Sequence, residues 1–498
     1  MQRMCVSLLA LVAFLLPPSV RALAREKPTR PTLTKQDIEQ CLETDWYGVY
    51  MLGNKVGYAK FSFARTGDKE KAGYVMSMDA QMNFIAAGAK QEIRFSQSFE
   101  FDGKPPFAFR KGNFSEQTLA SVKKTELTRK DQDVDAIRTV DGNTSTKQLG
   151  ALDYTLADEL APRLWVRNGP KIGDRLTSRS FDPEKLDLES EFRKLVATKT
   201  SVAEGVKVTY HEVEMTSSKI QVATLERYNS KGSLLSGVLG GVIELRAENE
   251  QLAKDIGVKT DLFLLGTVKI DRPLGEPARI TSLTVKVNGK EANVLKSGPR
   301  QTIERTDSGN LVCKTGKDHG TPVKATDKEI EENLLETNAY PIKHAKVQVL
   351  VKEAIGDAQS PKEKVDRLVH FVAKYITGDY NTRPRSLLHL LELRKGACTE
   401  FALLFTTLAR AAGIPAREVT GLYYMGDDSK AFGPHAWNEV VLDGHWVPID
   451  ATWNEIEINA THISFGSNRT DEDLTVLAKF LSTFGKLSFK LLEVRKEK

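Results

Sequence analysis

Apolar and polar positions alternate with a period close to two through much of the first half of the chain. "WYGVYMLGNKVGYAKFSFA" (46–64) places two aromatic and β-branched runs around Gly53-Asn54-Lys55, which predicts a hairpin. "YVMSMDAQMNF", "QEIRFSQSFEFD", "PFAFRKGNF" and "LASVKKTELTRK" continue the alternation to residue 130. "TLADELAPRLWV" (155–166) interrupts it with helical spacing, and strands resume in "EFRKLVATKTSV", "VKVTYHEVEM" and "IQVATLERYN" before a turn at Ser230-Lys231-Gly232. A polar helix, "RAENEQLAKDI", closes this part near residue 256. The pattern predicts an antiparallel β-rich domain over 43–257 with one solvated face.

A second β-rich domain is expected at 258–315, its clearest hairpin being "ITSLTVKVNGKEANVL" with the turn at Asn288-Gly289. Residues 316–339 are polar, charged and glycine-containing, and read as a linker. From 340 to the end the period changes. Val365, Leu368, Val369, Val372 and Ile376 have helical spacing behind a Ser360-Pro361 start. "RKGACTEFALLFTTLARAAGIPAR" (394–417) then sets Ala397, Phe401, Leu404, Phe405, Leu408 and Ala412 on one stripe, with Gly413 and Pro415 ending the helix. "AREVTGLYYMG" and "HAWNEVVLDGHWVPID" follow as strands, and "DEDLTVLAKFLSTFG" as a last helix with Asp471–Asp473 near its start. Helices followed by an antiparallel meander make this an α+β domain preceded by antiparallel β-rich domains.

The first 24 residues change the cellular picture. Arg3 precedes an apolar run from Met4 to Leu16, then Pro17-Pro18 and Ala22-Leu23-Ala24. This is the layout of a signal peptide (1–24), with a short leader at 25–42 and the mature protein exported to the periplasm or outside the cell. The run is short for a bilayer span, which favours cleavage, and no later segment reaches about 18 uninterrupted apolar residues, so the mature chain is expected to be soluble. Over 498 residues the net charge is only +5, and no dense Lys/Arg block points to nucleic acid. Cys41, Cys313 and Cys398 remain after cleavage. In an oxidising compartment Cys41 and Cys313 are expected to pair. Their spacing suits no metal site, no acidic loop resembles an EF-hand, and no cofactor is implied.

Cys398 falls in the first turn of its helix, where unpaired N–H groups and the helix dipole favour a thiolate and can stabilise an oxyanion. By itself this position also suits a buried structural cysteine. Downstream, His435 begins a strand and Asp450 ends the next, with Asp443-Gly444 turning between them. Across such a hairpin the two meet, giving a base for Cys398 and a carboxylate to orient that base. His445 and Asp443 belong to the far end, as turn and surface residues.

"GACTEFALLFTTLARAAGIPAREVTG", "HAWNEV" and "WVPIDATW", in this order, resemble the transglutaminase-like domain of the papain-type cysteine superfamily over about 340–465. The resemblance implies Cys398 as nucleophile, His435 as base and Asp450 as orienting acid. It also implies an upstream second oxyanion donor, for which Tyr375 and Tyr380 are the candidates. Trp437, Trp446 and Trp453 crowd the hairpin and are candidates to wall an acyl tunnel or to pack the core. The β-rich region resembles extensions that precede such domains in exported bacterial proteins.

Two functions follow. One is an exported cysteine acyl-transfer enzyme on protein or peptide amides, working through a thioester, as either a protein-glutamine transferase or a peptidase/amidase. The other is a non-catalytic envelope binding or scaffold protein that keeps the fold and meets its partner through the β-rich region.

Overall fold

The computed structural model describes residues 28–497 apart from 68–71, 87–88, 119–121, 141, 184–185, 204–205, 218–223, 240–241, 258–260, 307–309, 338, 380–385 and 468–474. The segment read as a signal peptide therefore lies outside the described residues. The chain forms two compact units, Met1–Phe84 with Lys90–Thr260, and Ile85–Ala89 with Asp261–Lys498.

The first unit is one 14-stranded antiparallel sheet. An eight-strand meander (Glu43–Met51 to Asn143–Ala151) and a six-strand meander (Arg175–Asp182 to Ile243–Glu248) join where Glu43–Met51 pairs with Ile243–Glu248. The interrupting helix is present as Leu156–Arg167, capped by Thr155 and Asp158, and it is buried on most of its surface. Leu156, Leu160 and Leu164 join an aromatic core in which Phe99 makes edge contacts with Phe109, Phe114, Tyr154 and Phe181. Edge-to-face pairs of this kind add to the area the rings bury. The six-strand half also buries charge. Arg193 is fully enclosed and bonds Glu191 (2.7 Å) and Glu226 (2.9 Å), so each ion has its counter-ion. The region read as a leader belongs to this unit, because Lys35–Glu39 is helical and Ile38 and Cys41 are in the core.

The second unit is built on a ten-stranded sheet. Its strands are β1 (Val268–Ile270), β2 (Ile280–Asn288), β3 (Pro299–Arg305), β4 (Leu311–Gly320), β5 (Val323–Lys324), β6 (Ala416–Tyr424), β7 (Ala431–Leu442), β8 (His445–Ile449), β9 (Ile463–Ser467) and β10 (Ser488–Lys496). The main order is β3-β4-β2-β10-β1-β7-β6-β9, with β8 between β7 and β5. Four helices matter to the site: α1 (Ala345–Ile355), α2 (Pro361–Tyr375), α3 (Leu387–Leu393) and α4 (Cys398–Ala411). Val347, Val365, Leu368, Val372, Leu390, Phe401, Leu404, Phe405 and Leu408 pack together with Val440 and Ile449 of the sheet. The amphipathic stripes of three helices thus bury α4 at the centre.

Three expectations are corrected. Residues 258–315 are not a separate domain, since β1 pairs with β7 and β10, and β2 with β10. The hairpin at Asn288-Gly289 is absent: Lys290–Val294 is a 3-10 turn, and β2 finds its partners in β4 and the distant β10. Local alternation reports strands but not which strand each one joins. The 316–339 linker is structured. Gly320 ends β4, β5 pairs with β8 at Val323–Trp446, and a Thr326-capped helix Asp327–Glu332 follows. Its polarity reflects a thin layer held by backbone pairing and caps rather than by a core face of its own.

The disulfide is also corrected. Cys41 and Cys313 are free thiols, each buried in the apolar core of its own unit. Burial raises both thiols, Cys313 to about 12, so they behave as small apolar side chains.

Candidate active site

Cys398 is the first residue of α4, with Ala397 as the extended cap. Glu400 reaches back to the Ala397 amide (2.7 Å). The amides of Cys398 and Thr399 lie in the first turn, where the helix provides no acceptor. Gly396 serves this start through space: a Cβ there would lie 2.4 Å from Cβ of Glu400. Close approach, rather than an unusual backbone angle, is what requires glycine here.

The hairpin of β7 and β8 turns through Asp443 and Gly444, both with positive φ. Its register runs from Leu442–His445 to Asn438–Ile449. One step further sets Asp450 opposite Trp437, and His435 is two residues along on the same side. Nε2 of His435 donates to Oδ2 of Asp450 at 2.7 Å, and the Cys398 side chain acts electrostatically on the same imidazole. Since Nε2 faces Asp450, Nδ1 is the nitrogen toward the thiol. The three residues named from the sequence are therefore together, Asp450 and His435 buried and Cys398 partly exposed. Asn438, the residue after Trp437 on β7, bonds the Ala402 carbonyl (3.0 Å) and the Thr406 hydroxyl (2.8 Å), fixing β7 to α4.

Electrostatics follow from this geometry. Burial alone would depress the His435 imidazole, but the charge and hydrogen bond of Asp450, with Cys398, outweigh it and raise it to about 10. Burial would raise the Asp450 carboxyl; the His435 and His462 rings reverse that and hold it well below the usual carboxylate range. A proton is therefore held on the imidazole beside Cys398.

His462, which the sequence reading passed over, is buried against the same carboxylate, with Nε2 at 3.1 Å from Oδ2 of Asp450. His435, Asp450 and His462 offer three ligand atoms within 4.8 Å of one another. Two ligands about 2.0–2.1 Å from one tetrahedral ion stand roughly 3.3 Å apart, so the 2.7 Å contact fits a shared proton rather than an ion. The signal that could have pointed to His462 is slight, a histidine at the start of a short apolar strand.

The other candidates separate. Tyr375 donates to the Leu391 carbonyl (3.1 Å), stacks on Phe371 and lies under the Arg394 guanidinium, so it closes a helix end and is not an oxyanion donor. Tyr380 lies outside the described residues. Trp437 is buried and stacks on His435 at 5.9 Å between ring centres. Its tip lies over Gly421, where a Cβ would come within 2.3 Å of Cη2 and 2.4 Å of the Ile463 carbonyl oxygen. Trp446 is buried at the far end of the hairpin beneath Arg417. Only Trp453 of the three is open to solvent, 47% exposed, stacked on Tyr423 and 6.3 Å from His435. His445 bonds the Asp443 carbonyl at the turn, away from the site.

Residues 348–451, which hold the central helix, the hairpin and all three residues, match the transglutaminase-like superfamily. They form a transglutaminase-like domain. The chain is 28% identical over 127 residues to kyphoscoliosis peptidase of Mus musculus, covering 23% of this chain and 19% of that protein. It is 29% identical over 167 residues to an uncharacterized protein of Haemophilus influenzae, covering 28% and 44%. The chain thus spans about a fifth and less than half of these relatives. A candidate cysteine protease from Cytophaga hutchinsonii is similar over 44% of this chain and 86% of its own, at 17% identity and a TM-score of 0.27.

Proposed function

We propose that the protein is an acyl-transfer enzyme on protein or peptide amides, with Cys398 as nucleophile, His435 as general base and acid, and Asp450 as the group that orients His435. The observation that carries this is the gathering of Cys398, at the start of a central helix, with His435 and the Asp450 carboxylate that His435 bonds at 2.7 Å. The Cys398 sulfur attacks the amide carbon and its proton resides on Nδ1 of His435. The carbonyl oxygen gains the electron pair and faces the first-turn amides of α4. Collapse breaks the C–N bond, His435 gives its proton to the departing amine or ammonia, and a thioester remains. Water resolves it to an acid; an amine resolves it to a new amide. The signal-peptide reading of residues 1–24 places this chemistry outside the cytoplasm, in the periplasm or beyond.

The test is the rate of iodoacetamide labelling at Cys398 from pH 5 to 9, in the wild type and in His435→Ala, with Cys398→Ala as the blank. Labelling at pH 5–6 well above that of a thiol of pKa about 8.5 is expected, and lost in His435→Ala. A wild-type curve that rises only near pH 8.5 refutes the reading. Glutamine peptides offered with a fluorescent amine then separate transfer from hydrolysis.

A further inference from the structure

Asp450 is approached from two sides. Its Oδ2 accepts from Nε2 of His435 (2.7 Å) and from Nε2 of His462 (3.1 Å), while Oδ1 accepts from the Thr452 amide (2.8 Å). The His462 side chain is wholly buried. Its other nitrogen, Nδ1, lies 3.1 Å from the Asn459 carbonyl oxygen. A carbonyl and a carboxylate oxygen can only accept, so both ring nitrogens of His462 are satisfied only when both carry hydrogen. The ring is edge-on to Trp437 (5.1 Å) and to Tyr423 (4.9 Å), which fix its plane. The titratable or charged groups facing it are Asp450, His435 and Tyr423.

The loop that carries His462 is tied to the same aspartate. Asp450 and Glu455 exchange backbone hydrogen bonds (2.8 and 2.7 Å). The Glu455 carboxylate accepts from the backbone and side-chain amides of Asn459, whose Oδ1 accepts from the Thr461 amide. The path Asp450–Glu455–Asn459–His462–Asp450 is closed. A closed path with no slack fixes where the carboxylate points.

We propose that His462 is a positioning residue of this site. It anchors the Asp450 carboxylate from the side opposite His435, so that Nε2 of His435 stays on Oδ2 and Nδ1 stays toward Cys398. This rests on the acyl-transfer reading for its consequence but not for its geometry.

The test compares His462→Phe, which fills the aromatic slot without an N–H, with His462→Gln, whose amide can still donate to Asp450. Both must keep the wild-type circular dichroism; His462→Gln alone serves if the phenylalanine variant does not fold. Labelling of Cys398 by iodoacetamide at pH 6 is expected to fall about ten- to a hundredfold in His462→Phe, the cost of one hydrogen bond to a charged group, with most of it recovered in His462→Gln. In ¹⁵N-histidine-labelled wild type, Nε2 of His462 is expected to carry hydrogen, and in His462→Phe the His435 signals are expected to shift. Equal labelling rates in wild type and a folded variant, with His435 signals unmoved, overturn the proposal. If wild-type Cys398 is not activated at all, the acyl-transfer reading fails instead; the His462 spectrum then decides alone, a bare Nε2 overturning the inference.

Discussion

Gly421→Ala tests how tightly the site is built. Gly421 sits on β6 directly opposite His435 of β7, and Trp437 leans across it. An added methyl would meet Cη2 of Trp437 at 2.3 Å, Cζ3 at 2.6 Å and the Ile463 carbonyl oxygen of β9 at 2.4 Å. The indole is buried and already stacked on His435 and edge-on to His462, so it can move only by displacing one of them. The carbonyl belongs to a paired strand and cannot swing away without opening the β6–β9 ladder. Overpacking of this kind costs about 1–3 kcal/mol, and an obstacle in the backbone argues for the upper part of that range. For a unit of this size that lowers the melting temperature by roughly 5–10 °C. Cys398 labelling at pH 6 should fall as His435 leaves its place. Trp437→Phe added to Gly421→Ala removes the ring contact but not the carbonyl contact, so it should restore part of the labelling rate and only part of the stability. A Gly421→Ala variant within about 0.5 kcal/mol of wild type and labelling at the wild-type rate would show that the sheet yields here and would refute the reasoning.

Other outcomes follow from the same contacts. Asp450→Asn removes the charge that raises His435, so the onset of Cys398 labelling should move to higher pH and turnover should drop on the order of 10²–10⁴-fold. The pH dependence of stability has a definite sign. His435 lies above its unfolded value of about 6.5, so its contribution is full below pH 6.5 and is lost as pH rises through 10; Asp450 is depressed, so its contribution is full above about pH 4 and is lost in acid. Denaturant titrations should therefore show the greatest advantage of wild type over Asp450→Asn between about pH 4 and 6.5, shrinking on either side. Cys41 and Cys313 should resist a thiol reagent in the native protein and react in denaturant, and non-reducing peptide mapping should find them unlinked. Tyr375→Phe loses the bond to the Leu391 carbonyl, so it should cost about 1 kcal/mol in a melting curve and leave Cys398 labelling unchanged.

The sequence disclosed what is local. Helical spacing marked α4 and α2, alternation marked most strands, and the Asp443-Gly444 turn set the distance between His435 and Asp450, so the three candidate residues could be named before any fold was known. What depends on non-local pairing stayed hidden. The union of β2 with β10 spans some 200 residues, and nothing in "ITSLTVKVN" records that partner. The polar stretch at 316–339 looked like a linker because a two-residue strand leaves no periodic trace. His462 escaped because its value lies in its contact with Asp450, made from the loop before β9. Cys41 and Cys313 looked like a pair because compartment and count favour one, while their apolar neighbours, which decide the matter, come from distant parts of each unit.

The two-residue turn at Asp443-Gly444 has a consequence for how this segment can vary. His435 and Asp450 meet because the strands between them are counted from that turn without remainder. One residue inserted or deleted in the hairpin would turn the carboxylate to the opposite side of the sheet, whereas a change of two would slide it along the same side by about 7 Å. Related chains that keep this chemistry should therefore hold the interval at a fixed length and admit insertions only outside it, at the β6–β7 turn or beyond Thr452, so that gaps in a family alignment would outline the site as clearly as its conserved letters.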